Sequence, residues 1–164
     1  MTLSWRAMAE PDLDQVAEIA AIGFPDHFEG RAVFANRLVL WPAGCFVLAE
    51  REAVAGYLVS YPWSAESAPA LNTVLEGLPS RPELIYLHDL ALRPEARGRG
   101  WTGPMISRLA EQARAEGWPA MSLVAVNEAE GFWRRHGFEP LASAALADKL
   151  ASYGPDARYM IRRL

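Results

Sequence analysis

The sequence predicts one α+β domain, and three observations carry that reading. The chain has 164 residues, a length that a single hydrophobic core serves. Hydrophobic residues make up 51% and charged residues 22%, a balance that buries a core instead of leaving the chain disordered. The apolar spacing also alternates between periods of two and of 3.6. Its order is strand, two helices, three strands, helix, strand, helix, strand, with no repeat and no interdomain linker.

Residues 3–8 read as an opening strand. Residues 11–21 carry Leu13, Val16, Ala17, Ala20 and Ala21 at helical spacing. Pro11 suits a helix start, Asp12 and Asp14 favour its first turn, and Gly23 stops it. A loop at 24–28 leads to a second helix expected over 29–40, anchored by Phe34, Leu38 and Trp41. After a turn at 42–44, residues 45–49 and 53–61 are rich in Val, Leu, Phe and Tyr and predict a hairpin. Pro62, Pro69, Pro79 and Pro82 interrupt residues 62–82, leaving room for one short helix around 71–78. A connection this long inside a compact domain is often functional.

Residues 84–92 form the clearest central strand, and a Gly/Arg-rich loop follows at 93–102. An amphipathic helix is expected over 103–116, with Met105, Ile106, Leu109 and Ala113 facing inward and Gly117 ending it. Residues 121–126 read as a buried strand and 128–136 as a short helix closed by Gly137. A small segment at 143–150 precedes a final strand at 157–162.

Composition excludes several chemistries. Cys45 is the only cysteine, so no intrachain disulfide and no cysteine metal cage forms. His27, His88 and His136 are scattered, which argues against a metal site. No apolar run of 18 residues and no basic-then-apolar leader is present, so a cytoplasmic protein without a membrane span is expected. A formal charge of −4 argues against nucleic-acid binding, whose affinity rests on neutralising phosphates.

One loop has the chemistry of an anion site. Arg97, Gly98, Arg99, Gly100, Trp101, Thr102 and Gly103 lie between a buried strand and a helix. Glycines there permit positive φ and bring N–H groups close to an anion. The following helix adds four unpaired N–H groups and a positive dipole end. A pyrophosphate suits the spot. The loop lacks the Gly-Lys-Ser/Thr ending of a P-loop and the spacing of a dinucleotide fingerprint. Read alone, it is equally a Gly-rich turn with its arginines in water.

The stretch from His88 and Asp89 through Leu90, Ala91, Leu92, Arg93, Pro94, Glu95 and Ala96 to Arg97, Gly98, Arg99 and Gly100 resembles the acetyl-CoA-binding segment of the GNAT N-acetyltransferase superfamily. Arg97 and Gly100 match its Gln/Arg-x-x-Gly-x-Gly/Ala motif, and Thr102 stands where Gly or Ala is usual. Downstream, Asn127 through Phe132, Trp133 and Gly137 to Phe138 is similar to the family's second signature. The resemblance spans residues 3–164 as one domain. It implies a layered α/β/α arrangement whose mixed central sheet has two splayed parallel strands.

Further implications follow from the resemblance. The pantetheine arm would pair with the main chain of Leu90 and Leu92. Arg97, Gly98, Arg99, Gly100, Trp101, Thr102 and Gly103 would hold the pyrophosphate, with Asn127 and Phe132 near the far end of the arm. Counted back from Trp133, the family's Asn stands one residue earlier than Asn127. Acetyl-CoA is the implied cosubstrate, and the implied reaction is direct attack of an amine on the thioester. The expected partner is a small-molecule amine, with a homodimer open and neither nucleic acid nor membrane involved.

For the proton, a period-two reading places Tyr86, His88, Leu90 and Leu92 on one strand face and Leu87, Asp89 and Ala91 on the other. His88 is the candidate base, since an unperturbed imidazole titrates near neutrality. Asp89 reads as structural, fixing a loop or helix end. Trp133 occupies the place of the family's general-acid Tyr, and an indole N–H cannot protonate a thiolate. Tyr153 and Tyr86 are the substitutes. Cys45 reads as a buried small hydrophobe. His27, Glu29 and an aromatic wall of Tyr57, Tyr61 and Trp63 are candidates for binding the acceptor. The alternatives are acetylation of protein amines, acyl-CoA binding without catalysis, and a scaffold that binds a protein partner.

Overall fold

The computed structural model of the chain describes residues 2–164. Seven strands form one mixed sheet: β1 (Ser4–Ala7), β2 (Cys45–Glu50), β3 (Ala53–Trp63), β4 (Leu84–Leu92), β5 (Ala120–Ala125), β6 (Glu139–Pro140) and β7 (Arg158–Arg163). They are ordered β1-β2-β3-β4-β5-β7-β6. All neighbours are antiparallel except β4 and β5. The helices are α1 (Leu13–Gly23), α2 (Arg31–Leu40), α3 (Thr102–Ala115), α4 (Glu130–Arg135) and α5 (Ala147–Tyr153).

The alternation of each strand feeds two cores, one per sheet face. On one face Tyr57, Val59 and Tyr61 of β3 meet Leu13, Val16, Ile19 and Ala20 of α1 and Phe34 of α2. On the other, Leu58 of β3 and Ile85 and Leu87 of β4 meet Met105, Ile106 and Leu109 of α3 and Trp133 of α4. Burying each such side chain contributes roughly 1.5–3 kcal/mol, enough for these two layers to hold the helices against the sheet. The α/β/α layering expected from the sequence is therefore present.

The parallel pair is short. Only Ile85 with Met121 and Tyr86 with Ser122 are in register. Beyond them β4 runs on to Leu92 and β5 to Ala125 without pairing, so the strands part into a wedge. β5 stays paired to β7 along its whole length, and β4 to β3. The wedge is thus a gap in the middle of the sheet with firm walls.

Two expected elements differ. The second helix starts at Arg31, not at residue 29, because Gly30 is extended at its N-cap (φ −84°, ψ 171°) and leaves Glu29 in the preceding loop. No helix forms around 71–78; turns and bends occupy it. Its backbone groups are taken from outside. Leu75 N–H donates to Asn36 Oδ1 at 2.9 Å, and Asn36 Nδ2 donates to Leu75 C=O at 3.0 Å. Arg37 Nη1 donates to Thr73 C=O at 2.5 Å, and Asn72 N–H donates to Glu29 Oε2 at 3.2 Å. Side chains of α2 and its leading loop thereby strap residues 64–83 to the domain.

Asp12 pins the first helix to the sheet edge. It accepts from Arg6 Nη1 and Nη2 at 2.8 and 2.9 Å and from Ala9 N–H at 2.8 Å. Burial pushes its carboxyl up, but the Arg6 bonds and the Ala9 N–H outweigh that and hold it below the ordinary value of 3.8. A depressed folded value means that the stabilisation is present above the unfolded value and lost as pH falls through the folded one. Asp12→Ala should cost about 1–3 kcal/mol at neutral pH, through loss of the charge-assisted bonds to Arg6 and to the Ala9 N–H. In urea titrations that cost should shrink below pH 4; a cost independent of pH would contradict the assignment.

Candidate functional site

A cavity of about 560 Å³ fills the wedge and reaches from the α3 N-terminus to the loop before α2. At one end lies the glycine loop. Gly98 and Gly100 have φ of +72° and +79°, the left-handed region that glycine adopts without strain. A Cβ at either position would meet open space, so the backbone is bare towards the cavity. Helix α3 starts at Thr102, with Trp101 at its N-cap and no side-chain cap bond. Trp101, Thr102 and Gly103 therefore present free N–H groups, and Pro104 supplies none. The donors number three, not the four expected, because Pro104 falls within the first turn and has no N–H.

Long-range bonds set the loop in place. Trp5 Nε1 in β1 donates to Trp101 C=O at 2.9 Å, and Arg97 Nε donates to Leu92 C=O at 3.1 Å. Arg97 thus closes the turn with one nitrogen and keeps its terminal nitrogens for a ligand. Leu90, Leu92, Arg97, Gly98, Gly100, Trp101, Thr102, Asn127 and Phe132 all line the cavity. Gly103 and Arg99 do not. Arg99 faces a second hollow, with Leu3 and Glu95, and a Cβ on Gly103 would lie 3.6 Å from His136. Asn127 has φ of +54°, which turns the chain at the end of β5.

At the other end β4 is irregular. The β3–β4 register runs Leu58 with Leu90 and Val59 with Asp89, then jumps to Ser60 with Leu87. His88 is the extra residue of a β-bulge. The bulge reverses the alternation. Asp89 joins Tyr86 and His88 on the α1/α2 side, where Tyr57 meets it, and Leu90 turns to the face covered by α3. The sequence-based placement of His88, Leu90 and Leu92 on one face and Asp89 on the opposite one is therefore corrected. A strict period of two has no term for an inserted residue.

His88 is held at both ring nitrogens. Its Nε2 lies 2.7 Å from Glu29 Oε1 and its Nδ1 lies 2.8 Å from the Tyr61 hydroxyl. The carboxylate accepts, so Nε2 carries a proton; Nδ1 accepts from the Tyr61 hydroxyl when the ring is neutral and donates to it when the ring is charged. Both partners are nearly buried, with side-chain exposures of 5% for His88 and 8% for Glu29. Burial pushes the Glu29 carboxyl up, but the His88 charge and bond, Asn72 N–H and Arg37 together hold it below its ordinary value. Glu29 is thus an ionised carboxylate inside the protein.

Tyr86 and Tyr153 also line the cavity. Tyr153, the last residue of α5, donates its hydroxyl to Pro69 C=O and lies beside the Tyr86 hydroxyl. Burial, then the Glu29 charge, pushes the Tyr153 phenol up to about 12. His27 Nε2 sits 2.5 Å from Tyr153 C=O. The aromatic wall differs from expectation: Tyr57 and Tyr61 are fully buried behind Asp89 and His88, and Phe24, Tyr86 and Tyr153 face the cavity instead. Trp133 lines it from the far side, packed edge-on against Phe132 and Phe138. Cys45 is buried, and burial raises its thiol to about 12.

Sequence reasoning missed Leu71, which the strap carries into the cavity wall, and set Asp89 aside. Nothing local marks Leu71, since strap bonds over 39 residues place it. The described residues hold no cluster of three metal-ligating side chains and no helix long and apolar enough to cross a membrane.

The sequence matches the model of the acetyltransferase (GNAT) family over residues 10–138. No curated protein matches it. Among solved structures it is similar to Ard1 from Thermoplasma volcanium, at 17% identity over 100% of this chain and 99% of that one, with a TM-score of 0.77. It is similar to the PaiA N-acetyltransferase from Thermoplasma acidophilum, solved with coenzyme A, at 11% identity over the whole of both chains and a TM-score of 0.70. The GNAT family N-acetyltransferase YhbS from Escherichia coli, solved with CoA, covers 98% of this chain and 81% of its own at 16% identity, with a TM-score of 0.61. At these identities the likeness is one of fold.

Asp89 is open to the cavity and enclosed elsewhere. Burial lifts its carboxyl from 3.8 to about 7, against the opposing pull of His88 and the Tyr57 hydroxyl. A raised carboxyl binds its proton more tightly in the folded chain, so this residue lowers stability as pH rises from about 4 to 7. Asp89→Asn should flatten that decline in urea titrations between pH 4 and 8. A slope identical to wild type would show that Asp89 titrates normally.

Proposed function

This chain belongs to the GNAT acetyltransferase family, and on that premise we propose that it moves the acetyl group of acetyl-CoA to the amine of a small molecule. The observation that carries this reading is a single cavity joining bare backbone donors at a helix N-terminus to a buried His–Glu pair, along two parted parallel strands. A pyrophosphate is matched by the N–H groups of the loop from Gly98 to Gly103 and by Arg97. The β4 main chain at Leu90 and Leu92 has no β5 partner and offers the pantetheine amides a strand-like edge, with Leu92 C=O shared with Arg97 Nε. Arg99, which faces away, contributes long-range charge only.

The chemistry asks little of the protein beyond placement. A deprotonated amine attacks the thioester carbonyl carbon, a C–N bond forms, the C–S bond breaks, and the thiolate leaves. Holding the two reactants in line supplies the larger share of the rate. His88 and Glu29 act as one unit that accepts the amine's proton, directly or through water, since neither ring nitrogen is free of a partner. Tyr86 and Tyr153 are the phenols assigned to the departing thiolate, and their raised values keep them protonated at neutral pH. Trp133 packs.

A small acceptor is favoured over a protein by the strap. It is bonded to α2 through Asn36 and Arg37 and to α5 through Tyr153, and so walls the acceptor end. A screen of amines, amino acids and N-terminal peptides with acetyl-CoA, read as free CoA release, tests this. Turnover of peptides alone would overturn the small-molecule assignment.

His88→Gln should lower kcat/KM for the amine by about 10²–10⁴, with the loss lessened at high pH, where more free amine is present. Binding of CoA, measured by calorimetry, should persist. Near-normal turnover at pH 7 would move proton acceptance to Asp89. Gly100→Val places a branched side chain at positive φ and blocks the anion's approach, so CoA affinity should fall at least ~10-fold while the domain stays folded. Unchanged affinity would remove the pyrophosphate from this loop.

A further inference from the structure

We propose that the acceptor is a small amine carrying no carboxylate, an inference that rests on the acetyl-transfer reading above. The acceptor end of the cavity is lined by Phe24, His27, Glu29, Leu71, Asp89 and Tyr153. It holds two carboxylates, and among the described residues no Lys or Arg lines it. Among the described residues Arg97 is the only Lys or Arg along the whole cavity, and it lies at the glycine loop with Nε on Leu92 C=O. Arg37 is close enough to act on Glu29 but is sealed off. It is fully buried, sits 5.4 Å over the Tyr61 ring, and spends Nη1 on Asn36 Oδ1 and Thr73 C=O.

An acceptor carboxylate entering this end would shed its water without gaining a counter-charge, beside the ionised Glu29 and an Asp89 carboxyl that carries its full charge only above about pH 7. Such an unpaired charge is a common way in which a site rejects the wrong ligand. An amine meets the opposite situation. Glu29 and Asp89 are hydrogen-bond acceptors. His27 donates through Nε2 to Tyr153 C=O, and its Nδ1 is buried with no partner, open to an amine N–H. Phe24, Leu71 and the Tyr153 ring give the rest of the molecule an apolar surface and an ammonium a π-face. The acceptor end therefore fits an amine on an apolar body and opposes an amino acid.

Three acceptors of one skeleton separate charge from size: 2-phenylethylamine, phenylalanine and phenylalaninamide, with pentylamine, norleucine and norleucinamide as a slimmer set. Each is assayed at saturating acetyl-CoA and equal concentration of neutral amine. The amine and the amide should exceed the acid in kcat/KM by at least ~10²-fold, since an unpaired buried charge discriminates more strongly than a methylene. Leu71→Arg adds a cation to the wall and should narrow the ratio about tenfold. Asp89→Asn, which removes without bulk the charge that Asp89 carries above about pH 7, should narrow it too in assays at pH 8. Acetylation of the acids as fast as of the amides would overturn the inference and leave acetyl transfer standing. An unchanged ratio in both variants would also overturn it. Turnover of no acceptor in either set would overturn it as well, and failure to bind acetyl-CoA in calorimetry would then remove the transfer reading with it.

Discussion

Two rungs of parallel pairing, at Ile85 with Met121 and Tyr86 with Ser122, decide the rest of this molecule. With fewer, β4 and β5 would not belong to one sheet. With more, the wedge would close, because backbone N–H and C=O groups in a sheet interior pair whenever a strand is in reach. The parting is made rigid from outside. β3 holds β4 and β7 holds β5, while α3 and α4 pack beneath the gap. The sheet therefore tolerates exposed β4 backbone in its middle, where a ligand chain fits as a strand fits.

The same parting assigns different work to the two ends of β4. Its carboxyl end runs into the glycine loop and the open N-terminus of α3, a place of N–H donors and positive dipole. Its middle carries the bulge that brings His88 and Asp89 to the same side. A positive end and an acidic end are thus about four residues of strand apart. Net charge for the whole chain conceals this separation.

Polar side chains hold the acidic end together. From Arg37 over the Tyr61 ring, through the Tyr61 hydroxyl and His88, the contacts run to Glu29 and on to Asn72 of the strap. All but Asn72, which is exposed, are buried or nearly so. Buried polar groups are costly when unmatched, so such a chain resists rearrangement as a unit. This makes the strap a wall instead of a free loop, although it contains no regular structure.

Much of this was legible in the sequence. The strands, the amphipathic stripe of α3, the glycine loop and its anion chemistry follow from spacing, φ freedom and helix polarity, which act within a few residues. The motif residues from Arg97 to Thr102 gathered at one cavity because they adjoin along the chain, apart from Arg99, which lines a second hollow. Tertiary structure alone decided the rest. The bulge that reversed Asp89 needs β3 as a partner, and the strap's lack of a helix needs Asn36 and Arg37 to take its backbone groups. Glu29 meets His88 across 59 residues of chain. Hydrophobic period and turn chemistry are local and carry no such information; which distant groups meet is settled only when two cores pack on either side of one sheet.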